Sequence, residues 1–464
     1  LSFCIVKMFK RPFIVLLSLV LSGCANLSLS NMFNTYSDQY QQTRIALNSN
    51  NLEAAQLSIN LNTPSDTNYQ LDLVEKGKIA QLAQNYKQSL EYFNLAIEKQ
   101  KSEQLKAQIQ ISKSGEQIGA LLSNDNALAY NLPLHEQVLV HTYQAINYLS
   151  DKNNEAAMVE IRQAHIVQSQ LLQQQNLDLS ARALSDEQNF GVDWHSVNQA
   201  YPKMDNVIGS KLNGVQNGFM LVLSALMYES AGQIDDALID LKAALVLYPN
   251  NPYLRTEVER LSARQTGGKA SYNSNTHGRL VILYEQDLIT PKDELMLRLP
   301  IYTSSGDMRF YSVALPTYQY ITPTRPLSVQ FKDKMLQGSE IAKFNAQAAA
   351  NLKDNISLLI TRQLGRLIAK EQVRRTMAKE GGDVGNVIAA LYNLASERAD
   401  TRSWLSLPNN AQIVSSIEPI GTANLALLID GHQHPVSIEI KPNSTLLLLV
   451  KSNGQMVQNN IYYL

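Results

Sequence analysis

Residues Leu221–Pro249 read LVLSALMYESAGQIDDALIDLKAALVLYP, and this stretch decides the fold of the first half. Leu221, Ala225 and Tyr228 recur at helical spacing. Gly232 interrupts them, and Ile234, Ala237, Leu241 and Ala244 resume the period until Pro249. Steps of three and four put such residues on one helical face. Ala225, Ala237 and Ala244 let two helices approach closely, Tyr228 and Leu241 fill the space between them, Gly232 turns the chain and Pro249 stops the second helix. The stretch therefore predicts a helical hairpin. Weaker copies precede it: Gly77, Ala80, Tyr86, Ser89, Phe93 and Ala96; then Ala145, Tyr148, Ala157, Ile161 and Ala164; and a degenerate Leu52, Ala55 and Ile59. Long insertions at 101–130 and 168–210 make the spacing irregular, so hairpins stacked side by side are expected rather than a uniform solenoid.

The hairpin resembles the tetratricopeptide repeat (TPR), a 34-residue helix pair. That resemblance implies inner helices that offer a concave protein-binding surface. A broader resemblance rests on Glu136–Leu149, followed by Val159-Glu160-Ile161-Arg162, and on Ala399-Asp400-Thr401-Arg402-Ser403-Trp404 with Leu407-Pro408. These stretches are similar to an uncharacterised family of proteobacterial TPR-containing lipoproteins with a β-rich C-terminal half. The family implies no activity and assigns no residue a role.

At the N-terminus Lys7, Lys10 and Arg11 precede the apolar run Pro12–Leu21, which is too short to span a bilayer as a helix. Leu21-Ser22-Gly23-Cys24 looks like a bacterial lipobox, in which the Cys24 thiol takes diacylglycerol and becomes the mature N-terminus. Leu1 or Met8 serves as the start, and either leaves the lipobox intact. Two or three acyl chains, at about 0.8 kcal/mol per buried CH₂, anchor a protein stably. Ala25 rather than an aspartate follows the cysteine, which favours the outer membrane; the body is expected to face the periplasm, the cell exterior being the alternative.

The expected organisation is multidomain. A lipoprotein signal peptide (1–23) and a tether (24–36) lead into an all-α TPR-like domain (37–265). A polar, glycine-rich linker (266–278) then separates it from an α+β domain (279–464). Beyond the linker the period becomes two. Arg279–Glu285, Leu295–Leu299, Met308–Ala314 and Leu327–Phe331 read as strands. Ile341 to about Lys379 and Val384–Arg398 read as a helical hairpin inserted at about 339–399. Gln412–Ile417, Asn424–Ile429, Pro435–Ile440, Thr445–Val450 and Met456–Tyr462 return to strand, with Asp430-Gly431 and Asn453-Gly454 as hairpin turns. A β-sandwich or a curved antiparallel sheet with a helical insertion fits this order.

The 464 residues carry 40 basic and 41 acidic side chains, without the concentrated basic footprint of a nucleic-acid binder. Two cysteines, Cys4 and Cys24, make neither a disulfide framework nor a zinc site. There is no G-x-S-x-G elbow, Walker A loop or G-x-G-x-x-G turn. His135-Glu136 with His141 departs from H-E-x-x-H because Leu139 stands where the second histidine belongs, and His432 with His434 has no third ligand nearby in sequence. No cofactor and no metal are expected.

Two features remain. Arg362, Arg366, Lys370 and Arg374, with Arg375 beside them, form either a basic ridge for an anionic surface or the wet side of an amphipathic helix; Glu371 interrupts the field and favours the second. Asp400, Arg402 and Trp404 form either an interface motif or an ion pair with a packing aromatic, and structural use is favoured. The leading expectation is a noncatalytic outer-membrane lipoprotein, held to the membrane by its lipid. It would bind an envelope protein as a scaffold or accessory factor in cell-envelope assembly, cell-wall synthesis included. The rivals are an envelope enzyme acting on peptidoglycan or lipid through the C-terminal domain, and a carrier of a lipid or hydrophobic ligand.

Overall fold

The structure, a computed structural model, describes residues 35–111, 126, 128–185, 202–208, 216–267, 272–302, 308–320, 322–357, 359–360, 362–367 and 398–464. The signal peptide and Cys24 lie outside the described residues. The tether reading extends one residue too far: Thr35 caps a short helix, α1 (Tyr36–Gln39), through a reciprocal capping box with Asp38, and Tyr36 is already buried.

Helices α2 (Gln41–Asn48) and α3 (Leu52–Ser58) form a first small hairpin. Three larger ones follow: α4 (Tyr69–Leu82) with α5 (Tyr86–Ile111), α6 (Leu134–Ser150) with α7 (Asn154–Ser185), and α9 (Gly218–Ser230) with α10 (Ile234–Leu247). The short α8 (Pro202–Ile208) precedes the last pair, and α11 (Pro252–Gln265) follows it. All four hairpins turn in one way. A residue in the left-handed region (Asn50, Gln84, Lys152 or Gly232) ends the first helix. The next backbone N–H then reaches back five residues: Asn51 to Ala46, Asn85 to Ala80, Asn153 to Tyr148 and Gln233 to Tyr228. That is the Schellman closure.

Asn50 and Gln84 stand 34 positions apart, and Gln84 and Lys152 twice that. The first three turns thus keep the repeat length that the side-chain pattern hides, while Gly232 follows Lys152 by 80 positions, and this half is TPR-like. The predicted contact residues sit between the helices. Ala80, Ala96, Ala145, Ala157, Ala164, Ala225, Ala237 and Ala244 are buried, and Gly77 lies so close to the Phe93 ring that a Cβ there would come within 2.7 Å of it.

Among the described residues the second half contains three sheets. Strands β1 (His277–Leu288), β6 (Ser339–Lys343), β7 (Pro408–Pro419), β10 (Thr445–Asn453) and β11 (Met456–Tyr463) make a five-stranded sheet in the order β11-β10-β1-β7-β6. Strands β4 (Ser328–Phe331), β5 (Lys334–Gln337), β8 (Gly421–Ile429) and β9 (His432–Ile440) make a four-stranded sheet, β5-β4-β8-β9. Strands β2 (Asp293–Tyr302) and β3 (Met308–Thr317) pair as a separate hairpin. The Asp430-Gly431 turn is present, with positive φ at both residues; the second turn falls one residue later than predicted, at Gly454-Gln455, since Asn453 is still paired in β10. The expectation of an antiparallel sheet needs correction, because β1 and β10 run parallel, from Arg279 opposite Thr445 to Gln286 opposite Ser452. The chain leaves β7 for the second sheet, makes the β8–β9 hairpin there, and returns beside β1 in the same sense.

A second correction concerns the inserted helix. Ile341 belongs to β6, which pairs with β7, and the helix (α12, described over 344–357, 359–360 and 362–367) starts at 344. A register irregularity between Glu340 and Ala342 buries the adjacent Ile341 and Ala342 together, erasing the alternation that marks a strand.

The five-stranded sheet is the middle layer. Leu280, Ile282, Tyr284, Leu446, Leu448 and Val450 pack against Val329, Phe331, Leu427 and Ile438 of the four-stranded sheet. From the opposite face Val281, Leu283, Ile413, Leu447 and Leu449 join one continuous core with the helices, including Leu71, Phe93, Tyr143 and Phe219. Strands covered on both faces read as unbroken apolar runs, as Leu446–Val450 does. The expected open concave surface is therefore not there. The inner helices α4, α6 and α9 are buried along nearly their whole length, facing the chain's own sheet.

Candidate functional site

The seam between the two halves gathers most of the buried charge. Lys78 of α4 meets Glu285 of β1 at 3.1 Å, the Tyr143 hydroxyl donates to the same carboxylate at 2.7 Å, and Lys78 lies 3.4 Å from the centre of the Tyr143 ring. Lys451 of β10 donates to Gln81 at 3.2 Å. Burial works to raise the Glu285 carboxyl, but Lys78 and Lys451 outweigh it and hold it below the usual range; burial also drives the Lys78 ammonium down. At the other end Arg279 of β1 bonds Glu229 and Glu257 of the last helices, each at 2.8 Å.

Residues 399–407 run through this seam as an extended strap. Arg402 pairs with Asp400 at 2.8 Å and donates to the Leu128 carbonyl at 2.9 Å. Burial acts to raise Asp400, yet the adjacent guanidinium keeps its carboxyl below the usual range. Trp404 is fully buried, edge-on to Phe93 (5.8 Å) and Tyr143 (5.9 Å), and its indole N–H donates to Ser406. The strap's backbone is held by carboxylates on inner helices: Glu136 accepts from the Trp404 N–H at 3.0 Å, and Glu75 from Leu405 and Ser406. Burial pushes Glu75 up to about 8, against the lowering effect of its donors, and raises Glu136 as well. Asp400, Arg402 and Trp404 are thus brought together, and all three bond within the chain.

Beside the strap lies a cleft of about 530 Å³, framed by residues 128–134, by the base of the β2–β3 hairpin and by α12. Leu132, Leu352 and Leu359 give it an apolar side; Lys292, Arg362, Gln363 and Arg402, with the carboxylates Asp354 and Asp400, give it a polar one. Lys292 donates to the Arg402 carbonyl at 2.8 Å. Burial lowers its pKa, opposed by Asp400 and Glu136 and reinforced by Arg402. His135 is half-buried, its Nδ1 buried without a partner, and desolvation, then Lys292, pushes it down to about 3.

Of the predicted basic ridge, Arg362 is exposed while Arg366 is only 4% exposed, so the two do not share a solvated face; Lys370, Arg374 and Arg375 lie outside the described residues. Lys292, Glu75 and Lys78 were not singled out from sequence, because nothing in their local spacing marks them; the tertiary fold alone brings them to one seam. Glu160, read as a pairing group, meets His141 at 2.6 Å. Among the described residues no three His, Cys, Asp or Glu side chains form a metal-ligating group, and no helix is long and apolar enough to cross a membrane.

No family model matches the chain, and neither does any curated protein. A crystal structure of a tetratricopeptide repeat protein from Parabacteroides merdae matches at 13% identity, over 49% of this chain and 98% of that one, with a TM-score of 0.14.

Proposed function

We propose that this protein is a proteobacterial envelope lipoprotein, acylated at Cys24 and held at the outer membrane facing the periplasm, and that it acts as a noncatalytic scaffold in cell-envelope assembly, cell-wall synthesis included. The observation that carries the reading is the use made of charge at the seam. Glu75, Glu136, Lys78, Glu285, Asp400 and Arg402 each bond groups inside the chain. A rigid support needs such ties, since a buried charge is tolerated only when paired and hydrogen-bonded. The inner helices being occupied, the partner protein meets the outer ones. There Val159 and Ile166 on α7, and Ile239 and Val246 on α10, are exposed, each pair seven residues apart and so on one helical face.

Two measurements test this. Palmitate labelling should mark the parent chain and not Cys24→Ser, which should leave the membrane fraction; an unlabelled parent removes the anchor. Crosslinking in intact cells should capture an envelope protein with the parent and lose it with Ile239→Glu/Val246→Glu; capture that survives the double substitution removes the outer face.

A further inference from the structure

The cleft beside the strap contains polar groups that the fold leaves unsatisfied. Lys292 is half-buried, and its ammonium has three donors and one bond, to a carbonyl; among the described residues no carboxylate lies within ion-pair distance of it. Arg362, on the rim, has no ion-pair partner among the described residues either. Gln363 is 2% exposed; its amide nitrogen is spent on the Ala314 carbonyl at 2.6 Å, and its Oε1 has no donor. Buried polar groups in folded proteins are almost always paired, so an orphaned carbonyl beside a half-buried, incompletely bonded cation in one cleft calls for an explanation. The volume of about 530 Å³ falls within the range of small-molecule sites, which are apolar with a few convergent polar groups.

We propose that this cleft binds an anionic amphiphile. Its carboxylate or phosphate head lies against Lys292 and Arg362, a hydroxyl or amide N–H of the head donates to Gln363, and its apolar chain lies along Leu132, Leu352 and Leu359. The head gives Lys292 the contact ion pair that Asp400 and Glu136, acting only at longer range, do not, and an ammonium with free donors binds an oxyanion as a charge-assisted acceptor. The leucines account for the apolar part of the lining, which a free inorganic anion would leave wet; Asp354, Asp400 and three asparagines also line the cleft, Asp400 being paired with Arg402. The site is independent of whether the outer helices dock a protein.

Isothermal titration of the purified full chain tests it with decanoate, decanol and acetate as probes, and with dodecyl phosphate and inorganic phosphate as a parallel series. Decanoate or dodecyl phosphate should bind, and the tighter of the two identifies the head. Decanol, acetate and inorganic phosphate should each bind at least roughly tenfold more weakly. Arg362→Gln changes an exposed side chain, so folding is spared; it should weaken the anionic amphiphile by roughly tenfold and leave decanol unchanged. Lys292→Met should do the same, with circular dichroism confirming the folded state. The proposal fails if neither amphiphile binds, if decanol matches decanoate, or if both substitutions leave anion affinity untouched.

Discussion

Trp404 shows how much one side chain on the strap carries. It is fully buried between Phe93 and Tyr143, with its N–H satisfied inside the strap, so it joins a loop of the β-rich half to two helices of the repeat half. Trp404→Ala should cost about 3–5 kcal/mol, read as a lower urea midpoint, because the ring's contacts are lost and the cavity cannot collapse against two helices. Glu75 lends the same strap a pH dependence. Its folded pKa, about 8, lies above its unfolded value, so the folded state holds the proton better. Its contribution is fully present below the unfolded pKa and is lost as pH rises toward about 8. Glu75→Gln keeps the shape of the protonated acid without titrating. Between pH about 5 and about 8 its stability relative to the parent should improve by on the order of a few kcal/mol. Urea unfolding across that window measures it, and a gap that stays flat contradicts the assignment.

Among the elements, the four hairpin turns carry a lesson about what patterns conceal. Three of them use a non-glycine residue at positive φ, Asn50, Gln84 and Lys152, where the fourth has Gly232. No neighbouring atom lies within 4 Å of a Cβ built at Gly232. Gly232→Asn should therefore cost less than about 1 kcal/mol, since asparagine tolerates the left-handed region. Gly218 is different. It begins α9 where that helix meets β6, and a Cβ there would collide with the Ile341 carbonyl oxygen, a backbone atom that cannot turn aside. Gly218→Ala should cost on the order of 1–3 kcal/mol and lower the melting temperature well beyond the Gly232 variant. Equal shifts for the two would mean that the helix-to-sheet contact is loose.

For the whole molecule, the continuous core from Leu71 and Phe93 to Leu447 and Leu449 makes the two halves depend on each other. The polar segment after α11 suggests a hinge in sequence, but its described residues are tied down: Ile420 donates to Thr276 and Asn443 to Ser274. Helical circular dichroism and tryptophan fluorescence should thus report coincident urea transitions, the signature of one cooperative unit. Two separated transitions would show the halves to be independent. A shared core also explains why the repeat half does not resemble an open peptide-binding array, for its inner face is already filled.

What the residues alone determined is local and periodic. Helix spacing with alanine contacts marked the hairpins, alternation and Asp430-Gly431 or Asn453-Gly454 marked the strands and turns, and the Asp400–Arg402 pair was visible because its partners are two residues apart. Each of these depends on neighbours within one or two turns of chain, where sequence distance and spatial distance agree. The parallel pairing of β1 with β10, the strand at Ser339–Lys343 and the burial of the inner helices against the sheet were decided only by tertiary structure. So was the meeting of Lys78 with Glu285, 207 positions apart. A buried charge looks the same in sequence as a solvated one; which it becomes depends on what the rest of the chain brings to it.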